Sequence, residues 1–393
     1  MNSKQRILLI HNYYKIPGGE DTVVQNEKRL LEEHGHEVIL YSRSNREMET
    51  FSAWQKCLLP FTSLFSLRSF REVKRLIRKE KIDIVHVHNT LNLVSPSVYY
   101  AAFACRVPVV QTIHNFRMLC PAATFLRNGQ VCEDCVEQGL GCAVRHSCYR
   151  GSKAQTLAGA AILKVHRMLG TYRKLSYICL TDFNREKLLL LNRKGKQIVD
   201  PEKVYVKPNF TADTQRQEAL RTGYLYVGRL EPLKGVRSLI EAWQAFPDKE
   251  LLLCGIGPEE DWIRKYLEEH EMGQVKLLGQ MHHEKVMELL GQVKALILPT
   301  LCYEGQPMVI MESYAAGTPV LASDIGNAGN MVLPGETGYR FRTGDPESLR
   351  EAVRKLEAEP EREWKTREVY EQYYTPEKNY ERLREIYSSV QGE

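Results

Sequence analysis

Tyr224-Leu-Tyr-Val227 runs into Gly228-Arg229-Leu230-Glu231-Pro232-Leu233-Lys234-Gly235, then into a helical pattern over Val236–Phe246, then into Glu250-Leu-Leu-Leu-Cys254. A short apolar run, a glycine-bearing turn, a helix and a second apolar run make a strand–helix–strand unit. A crossover of that length joins parallel strands, because antiparallel neighbours need only a tight turn. The stretch therefore predicts an α/β fold. Downstream the pattern repeats: helices over Asp261–His270, Glu284–Leu290 and Pro307–Ala316 separate strands at Val275–Leu278, Ala295–Leu298 and Val320–Ser323.

Upstream the same rhythm starts at Arg6–His11. A Pro17-Gly18-Gly19 loop follows, then a helix carrying Val23, Val24, Glu27, Leu30 and Leu31 and a strand at Glu37–Tyr41. A basic helix at Val73–Lys79 and strands at Ile82–His88, Val107–His114, Ser176–Leu180 and Lys203–Val206 complete this half. Met118–Gly151 breaks the alternation and reads as an insertion; Thr211–Gly223 is polar, aperiodic and the best linker. Glu361–Val390 is helical and polar-aromatic. The expected architecture is two doubly wound, Rossmann-like domains: residues 1–208 with a Cys-rich insertion at 118–151, residues 209–375, and a helix at 376–393 packing back on the first domain. In such sheets ligands bind at the carboxyl ends of the strands.

The chain has 393 residues, 43% hydrophobic and 26% charged, enough for two domains at ~150 residues each. No run reaches the ~18 apolar residues of a membrane-spanning helix. The apolar part of the opening segment is too short for a signal peptide, so the expected address is the cytoplasm. Residues 1–200 carry 30 Lys/Arg against 17 Asp/Glu, and residues 201–393 carry 24 against 32, balances of +13 and −8. A basic half joined to an acidic one points to an anionic partner for the former. The cations are not interleaved with an RNA-reading motif, so nucleic acid is not expected.

Two junctions carry chemistry. In Glu304-Gly305-Gln306-Pro307-Met308-Val309-Ile310-Met311-Glu312, Pro307 sits where a helix begins. The helix amino end suits a phosphate, and Glu304 and Glu312 can each accept from hydroxyls. Arg229 and Lys234 leave the other junction, where two cations can neutralise a diphosphate leaving group without a divalent metal. Each motif alone also reads as a helix start with solvated charges.

Together, Glu304-x7-Glu312, the Gly-Arg-Leu-x3-Lys-Gly run and the Gly255-Ile256-Gly257-Pro258 turn resemble the donor domain of family-4 retaining glycosyltransferases (glycosyl transferases group 1, GT-B fold). The front half fits as well, with the Pro-Gly-Gly-Glu loop, Asp83-Ile-Val-His-Val-His-Asn89 and Thr112-Ile-His-Asn115. The resemblance implies an acceptor-side first domain and a nucleotide-sugar-binding second domain facing it across a cleft. It places Arg229 and Lys234 on the donor diphosphate, Glu304 on hydroxyls of the transferred sugar and Glu312 on the ribose. Backbone N–H groups from Gly305 through Gln306, Pro307 and Met308 to Val309 bind phosphate (Pro307 itself has none). The turn containing Gly255 and Gly257 lies near the nucleoside, Gly18 and Gly19 face the donor phosphate, and His114 lies near the reacting sugar. His114 then orients the sugar or takes part in proton transfer; a strand-end histidine bonded to backbone is the bland alternative. The implied activity is hexosyl transfer from a UDP- or GDP-linked sugar, with retention, to a glycan or lipid-linked acceptor in cell-surface polysaccharide synthesis. The leaving phosphate accepts the acceptor proton, and no metal is needed for transfer. A nucleotide-sugar epimerase and a non-catalytic nucleotide-sugar binding protein are the alternatives.

Cys120-x11-Cys132-x2-Cys135-x12-Cys148, with Cys142 as a spare, has the spacing of a structural zinc site; reduced, unligated thiols are the other reading. His86 and His88 share one strand face, but no third metal ligand is evident, so packing or acceptor contact is expected. Lys56–Lys81 holds eight Lys/Arg against two acids, beside Trp54, Leu58, Leu59, Phe61, Leu64 and Phe65. Lys164–Lys174 is a second basic stretch with Ile162, Leu163, Val165, Met168 and Leu169 around it. Both suit an anionic inner-leaflet membrane surface, and both also suit a solvated face over a core helix.

Overall fold

A computed structural model describes residues 4–15, 18–193, 195–214, 221–360 and 362–392. Pro17 of the glycine loop, residues 215–220 of the expected linker and Glu361 lie outside the described residues. The chain divides into two compact units. The first is Met1–Ala123, Glu133–Asn209 and Asn379–Glu393; the second is Thr124–Cys132 and Phe210–Lys378.

In chain order the first stretch holds β1 (Arg6–Tyr13), α1 (Gly19–Glu33), β2 (Glu37–Ser44), α2 (Ala53–Leu64), α3 (Leu67–Lys79), β3 (Ile84–Val87), α4 (Ser97–Cys105) and β4 (Val109–Ile113). A hairpin of β5 (Leu126–Arg127) and β6 (Gln130–Val131) follows. Next come α5 (Asp134–Glu137), α6 (Gly141–Arg145), α7 (Lys153–Met168), β7 (Ser176–Cys179), α8 (Asp182–Leu189) and β8 (Val204–Val206). The first unit's sheet has the order β2-β1-β3-β4-β7-β8, with every pair parallel. Ile7, Leu8, Leu9 and Ile10 are fully buried in succession, as in a parallel strand covered on both faces.

The second unit adds β9 (Tyr224–Val227), α9 (Val236–Trp243), β10 (Leu251–Cys254), α10 (Glu260–Glu269), β11 (Val275–Gly279), α11 (His283–Gln292), β12 (Ala295–Leu298), α12 (Met308–Ala315) and β13 (Val320–Ser323). It continues with α13 (Gly326–Asn330), β14 (Gly338–Phe341), α14 (Pro346–Glu357), α15 (Thr366–Tyr373) and the start of α16 (Pro376–Gln391). Its sheet order is β11-β10-β9-β12-β13-β14, again parallel throughout. Alternation across β9 sends Tyr224 and Tyr226 into the core around Trp243. It sends Leu225 into the core around Ile310 and Tyr314. Residues one apart on a strand point to opposite faces.

Strand order reverses between β1 and β3 in the first sheet and between β9 and β12 in the second. These are the switch points where the loops splay apart and ligands enter. The loops after β9 and β12 are the two motif-bearing junctions, so the topology gathers them at one sheet edge.

Four expectations are corrected. The basic helix begins at Leu67, where the Ser66 side chain accepts from Ser69 N–H at 3.1 Å, and not at Val73. The helix after Gly235 ends at Trp243, short of Phe246. β14 and α14 had no counterpart in the reading. The 118–151 insertion is divided, because Thr124–Cys132 belongs to the second unit. There Phe125 is fully buried with its ring 5.9 Å from Tyr303. From Asn379 onward α16 belongs to the first unit. Asn379 Nδ2 donates to the Pro208 carbonyl at 2.6 Å, and the Tyr387 hydroxyl lies 2.7 Å from His86 Nδ1.

Candidate active site

In the second unit Lys234 Nζ donates to Glu304 Oε1 at 2.6 Å, and Thr300 Oγ1 donates to the same oxygen at 3.1 Å. Burial works against the Lys234 charge, but the adjacent Glu304 carboxylate outweighs it and holds the ammonium above its ordinary pKa. Lys234 therefore stays cationic throughout the neutral range. Arg229 is within electrostatic reach of both Lys234 and Cys302. It pairs with Glu231 Oε1 at 2.8 Å, with half of its side chain in solvent. Such an exposed pair is worth little, so the guanidinium is available to a stronger anion.

Backbone contacts hold these loops together. Leu301 N–H donates to the Leu233 carbonyl at 2.9 Å, and Leu230 N–H to the Ile256 carbonyl at 2.9 Å. A Cβ on Gly255 or Gly257 would lie 1.9 Å from the Gly228 carbonyl oxygen or 2.3 Å from that of Leu230. The role these two glycines visibly play is close packing beneath the Arg229 loop. Asn327 Nδ2 donates to the Glu304 carbonyl at 2.9 Å, pinning the loop ahead of α12. Pro307 caps α12, whose first amides have no partner within the helix. Gly305, Gln306, Met308 and Val309 thus lie at its amino end. Glu312 is buried one turn in, and burial pushes its carboxyl up to about 7.

In the first unit Gly18 and Gly19 begin α1. Gly18 N–H donates to Asp21 Oδ2 at 2.9 Å, and His11 Nε2 donates to Asp21 Oδ1 at 2.7 Å. His114 follows β4 and its Nε2 lies 3.0 Å from His88 Nδ1, the two rings stacked at 5.2 Å. Glu27 Oε2 accepts from Lys207 Nζ at 3.0 Å. Glu27 Oε1 lies 2.9 Å from His86 Nδ1 and 3.3 Å from His88 Nε2. Neither Oε1 nor His88 Nε2 makes a well-aligned hydrogen bond, so their attraction is that of charge and dipole.

Burial holds both His88, lowered to about 4, and His114, well below its usual range, in the neutral form. A lone pair on His88 Nε2 would face a carboxylate, so the His88 proton sits there and Nδ1 accepts from His114 Nε2–H. His114 is left with an unprotonated Nδ1. It can accept a hydrogen bond from a hydroxyl, which favours orientation over proton donation.

Glu27, His86 and His88 bring ligand atoms within 4.8 Å of one another, so Glu27 is the third residue that strand spacing did not reveal. The Lys207 ammonium already supplies the positive charge there. Glu20 and Lys207 were also missed as site residues. Glu20 accepts from Asn89 Nδ2 at 2.8 Å and Asn115 Nδ2 at 3.4 Å. Burial first, and then the Asp21 charge, push its carboxyl up to about 7. The Pro-Gly-Gly-Glu loop contained that signal.

Cys135 lies within electrostatic reach of Cys120, Cys142 and Cys148, and burial foremost raises its thiol to about 12. Cys132 belongs to the second unit. Among the described residues no cysteine is part of a triad with ligand atoms within 4.8 Å.

Two family models match the chain: Glycosyltransferase Family 4 over residues 17–128 and Glycosyl transferases group 1 over residues 215–375. The chain belongs to the group 1 glycosyltransferases. Among other group 1 glycosyltransferases and related proteins, it is 35% identical over 148 residues to a Mycobacterium tuberculosis glycogen synthase, a match covering 36% of each chain. It is 27% identical over 189 residues to O-antigen chain mannosyltransferase B of Escherichia coli, covering 44% of this chain and 48% of that protein. The match thus spans about a third to a half of these relatives' length. Sucrose-phosphate synthase from Thermosynechococcus elongatus superposes with a TM-score of 0.71 at 18% identity, covering 99% of this chain and 100% of that one. Anabaena HepE in complex with UDP-glucose superposes with a TM-score of 0.64 at 16% identity, covering 98% and 100%. These structures speak for the GT-B fold of two parallel-sheet α/β domains. No helix among the described residues is long and apolar enough to cross a membrane.

Proposed function

We propose that this group 1 glycosyltransferase moves a hexosyl residue from a nucleoside-diphosphate sugar, with retention, to a glycan or lipid-linked acceptor in cell-surface polysaccharide synthesis. The observation that carries the reading is the meeting of Arg229, Lys234 and Glu304 at the β9/β12 switch point, beside the amino end of α12. As the bond from the anomeric carbon to the diphosphate breaks, charge grows on the leaving phosphate. Fixed cations and helix amides stabilise that charge without reorganising. The acceptor oxygen bonds to the same carbon on the same face, and its proton passes to the departing phosphate. Glu304 holds hydroxyls of the transferred sugar.

A thermal-shift panel of UDP-, GDP- and TDP-sugars tests this. One nucleotide sugar should stabilise the protein by about 2.7 kcal/mol at a hundredfold excess over its Kd, and release of nucleoside diphosphate should require acceptor and be lost in Glu304→Ala. Ribose hydroxyls donate to an ionised Glu312, whose carboxyl titrates at about 7. Donor affinity should therefore rise about tenfold per pH unit up to neutrality and level off above it, with Glu312→Gln weaker and flat. A panel with no hit, or a new nucleotide sugar formed without acceptor, overturns the reading.

We also propose a structural zinc on the thiols around Cys135. Elemental analysis of the purified protein should find one zinc per chain, and chelation should lower Tm; a metal-free, equally stable protein excludes it.

A further inference from the structure

The buried carboxylate of Glu27 takes no part in the proposed reaction, yet it stands one histidine away from a cavity in the first unit. Its two oxygens have separate duties. Oε2 accepts from Lys207 Nζ at 3.0 Å, and the same ammonium donates to Asn379 Oδ1 at 3.0 Å. Oε1 faces His88 Nε2 at 3.3 Å. On the other side of that ring, His88 Nδ1 lies 3.0 Å from His114 Nε2. Burial keeps both rings neutral, so each carries one proton, and placing the first places the second. The run of contacts ends at His114, because among the described residues nothing bonds its Nδ1. His88 and His114 line the cavity together with Asn89, Thr90 and Asn115, amide and hydroxyl groups that suit a polyhydroxylated ring.

We propose that Glu27 is a positioning residue for transfer: acting through His88, it decides which nitrogen of His114 carries the proton, so that Nδ1 meets a substrate hydroxyl as a hydrogen-bond acceptor. A carboxylate has no hydrogen to give. It draws the His88 proton to Nε2. His88 Nδ1 must then accept, so the His114 proton sits on Nε2 and its Nδ1 is bare. Glu27→Gln reverses the whole run. Lys207 keeps the amide oxygen on its own side, and the amide NH2 turns to His88 Nε2. The His88 proton moves to Nδ1, and His114 is left with a donor at Nδ1 where the parent has an acceptor. The substrate contact rests on the transferase reading; the tautomers do not.

Nuclear magnetic resonance of the full chain, with isotope-labelled histidine ring nitrogens, tests this, since a bare imidazole nitrogen resonates well downfield of a protonated one. His88→Asn and His114→Asn, each deleting one ring, assign the signals. In the parent both rings should be protonated on Nε2 and bare on Nδ1. Glu27→Gln should move both protons to Nδ1, and Glu27→Asp, which keeps the charge, should retain the parent's pattern. A carboxylate that only stabilised the fold would leave the tautomers in place when replaced. Two kinds of ligand then locate the hydroxyl: the nucleotide sugar selected by the thermal-shift panel, and the methyl glycosides of glucose, galactose and mannose. A hydroxyl donating to His114 Nδ1 moves that signal upfield and leaves Nε2 where it is. The ligand that does so identifies the substrate bound there, and Glu27→Gln should weaken its binding about two- to tenfold.

A His114 protonated on Nδ1 in the parent, or parent tautomers in Glu27→Gln, overturns the proposal. If Glu27→Gln does not fold, the parent's tautomers and their retention in Glu27→Asp decide it. If neither kind of ligand moves the Nδ1 signal, the substrate contact is overturned. If no nucleotide sugar binds, the transferase reading falls, while the tautomers still decide whether Glu27 governs His114.

Discussion

Lys234→Ala is expected to lower kcat/KM for sugar transfer by about 100- to 1,000-fold. The ammonium is held charged by Glu304 at 2.6 Å, and in the proposed reaction it stands where charge grows as the diphosphate leaves. Removing it takes away a charge the transition state needs more than the ground state does, so kcat falls more than donor affinity. Arg229→Ala should cost less, because half of the Arg229 side chain is in solvent. Single-turnover release of nucleoside diphosphate measures both. The Lys234→Ala/Glu304→Gln double variant should lose less than the sum of its parts, since the two groups act as a pair. A Lys234→Ala enzyme within threefold of the parent would remove the basis for assigning the donor site here.

Lys207→Met should cost about 3–5 kcal/mol of stability. Lys207 and Glu27 are each 1% exposed and 3.0 Å apart, and losing the ammonium strands a buried carboxylate beside His86 and His88. The Lys207→Met/Glu27→Gln double variant should recover part of the loss, since an isosteric neutral pair avoids the stranded charge. Urea denaturation followed by circular dichroism measures both.

The same network sets a pH dependence. Glu27 is held well below the usual carboxylate range despite its burial, chiefly by Lys207. Its stabilisation is present above the unfolded carboxylate pKa and is lost as pH falls through the lower folded value. His88, lowered to about 4, makes folding progressively less favourable as pH drops from about 6.5. Glu20 and Glu312, raised to about 7, act in the opposite direction, favouring the fold below neutrality. Lys207→Met should therefore lower stability at neutral pH and flatten its fall towards acid, because the Glu27 contribution it removes is present only above the carboxylate range.

Much of the fold was legible because parallel strands buried on both faces spell themselves out. Ile7-Leu8-Leu9-Ile10 and Ala295–Leu298 are too short for helices and read as buried strands. Lys234 and Glu304 were legible as candidates for a related reason: switch-point loops put polar groups next to strand ends, while the roles expected of them came from the family resemblance. What escaped was set by distance along the chain or by mixed local signals. Lys207 and Glu27 are 180 positions apart, and neither carries a mark of burial. α2 contains Pro60, which argues against a helix even though Ser52 and Gln55 form a capping box at its start. Glu20 was read as part of a loop motif, because only the fold brings Asn89 and Asn115 to it.

Each unit is built from segments far apart in the chain. Phe125, made early, packs beside Tyr303, and Tyr387 reaches back across 301 positions to His86. On a ribosome adding ~5–20 residues per second, the first sheet therefore waits about 15–60 s for the helix that covers His86. During that interval the buried histidines and Glu27 stand open to water. A chaperone that shields this edge, or a slow stretch of translation placed after it, would have its greatest effect on yield there.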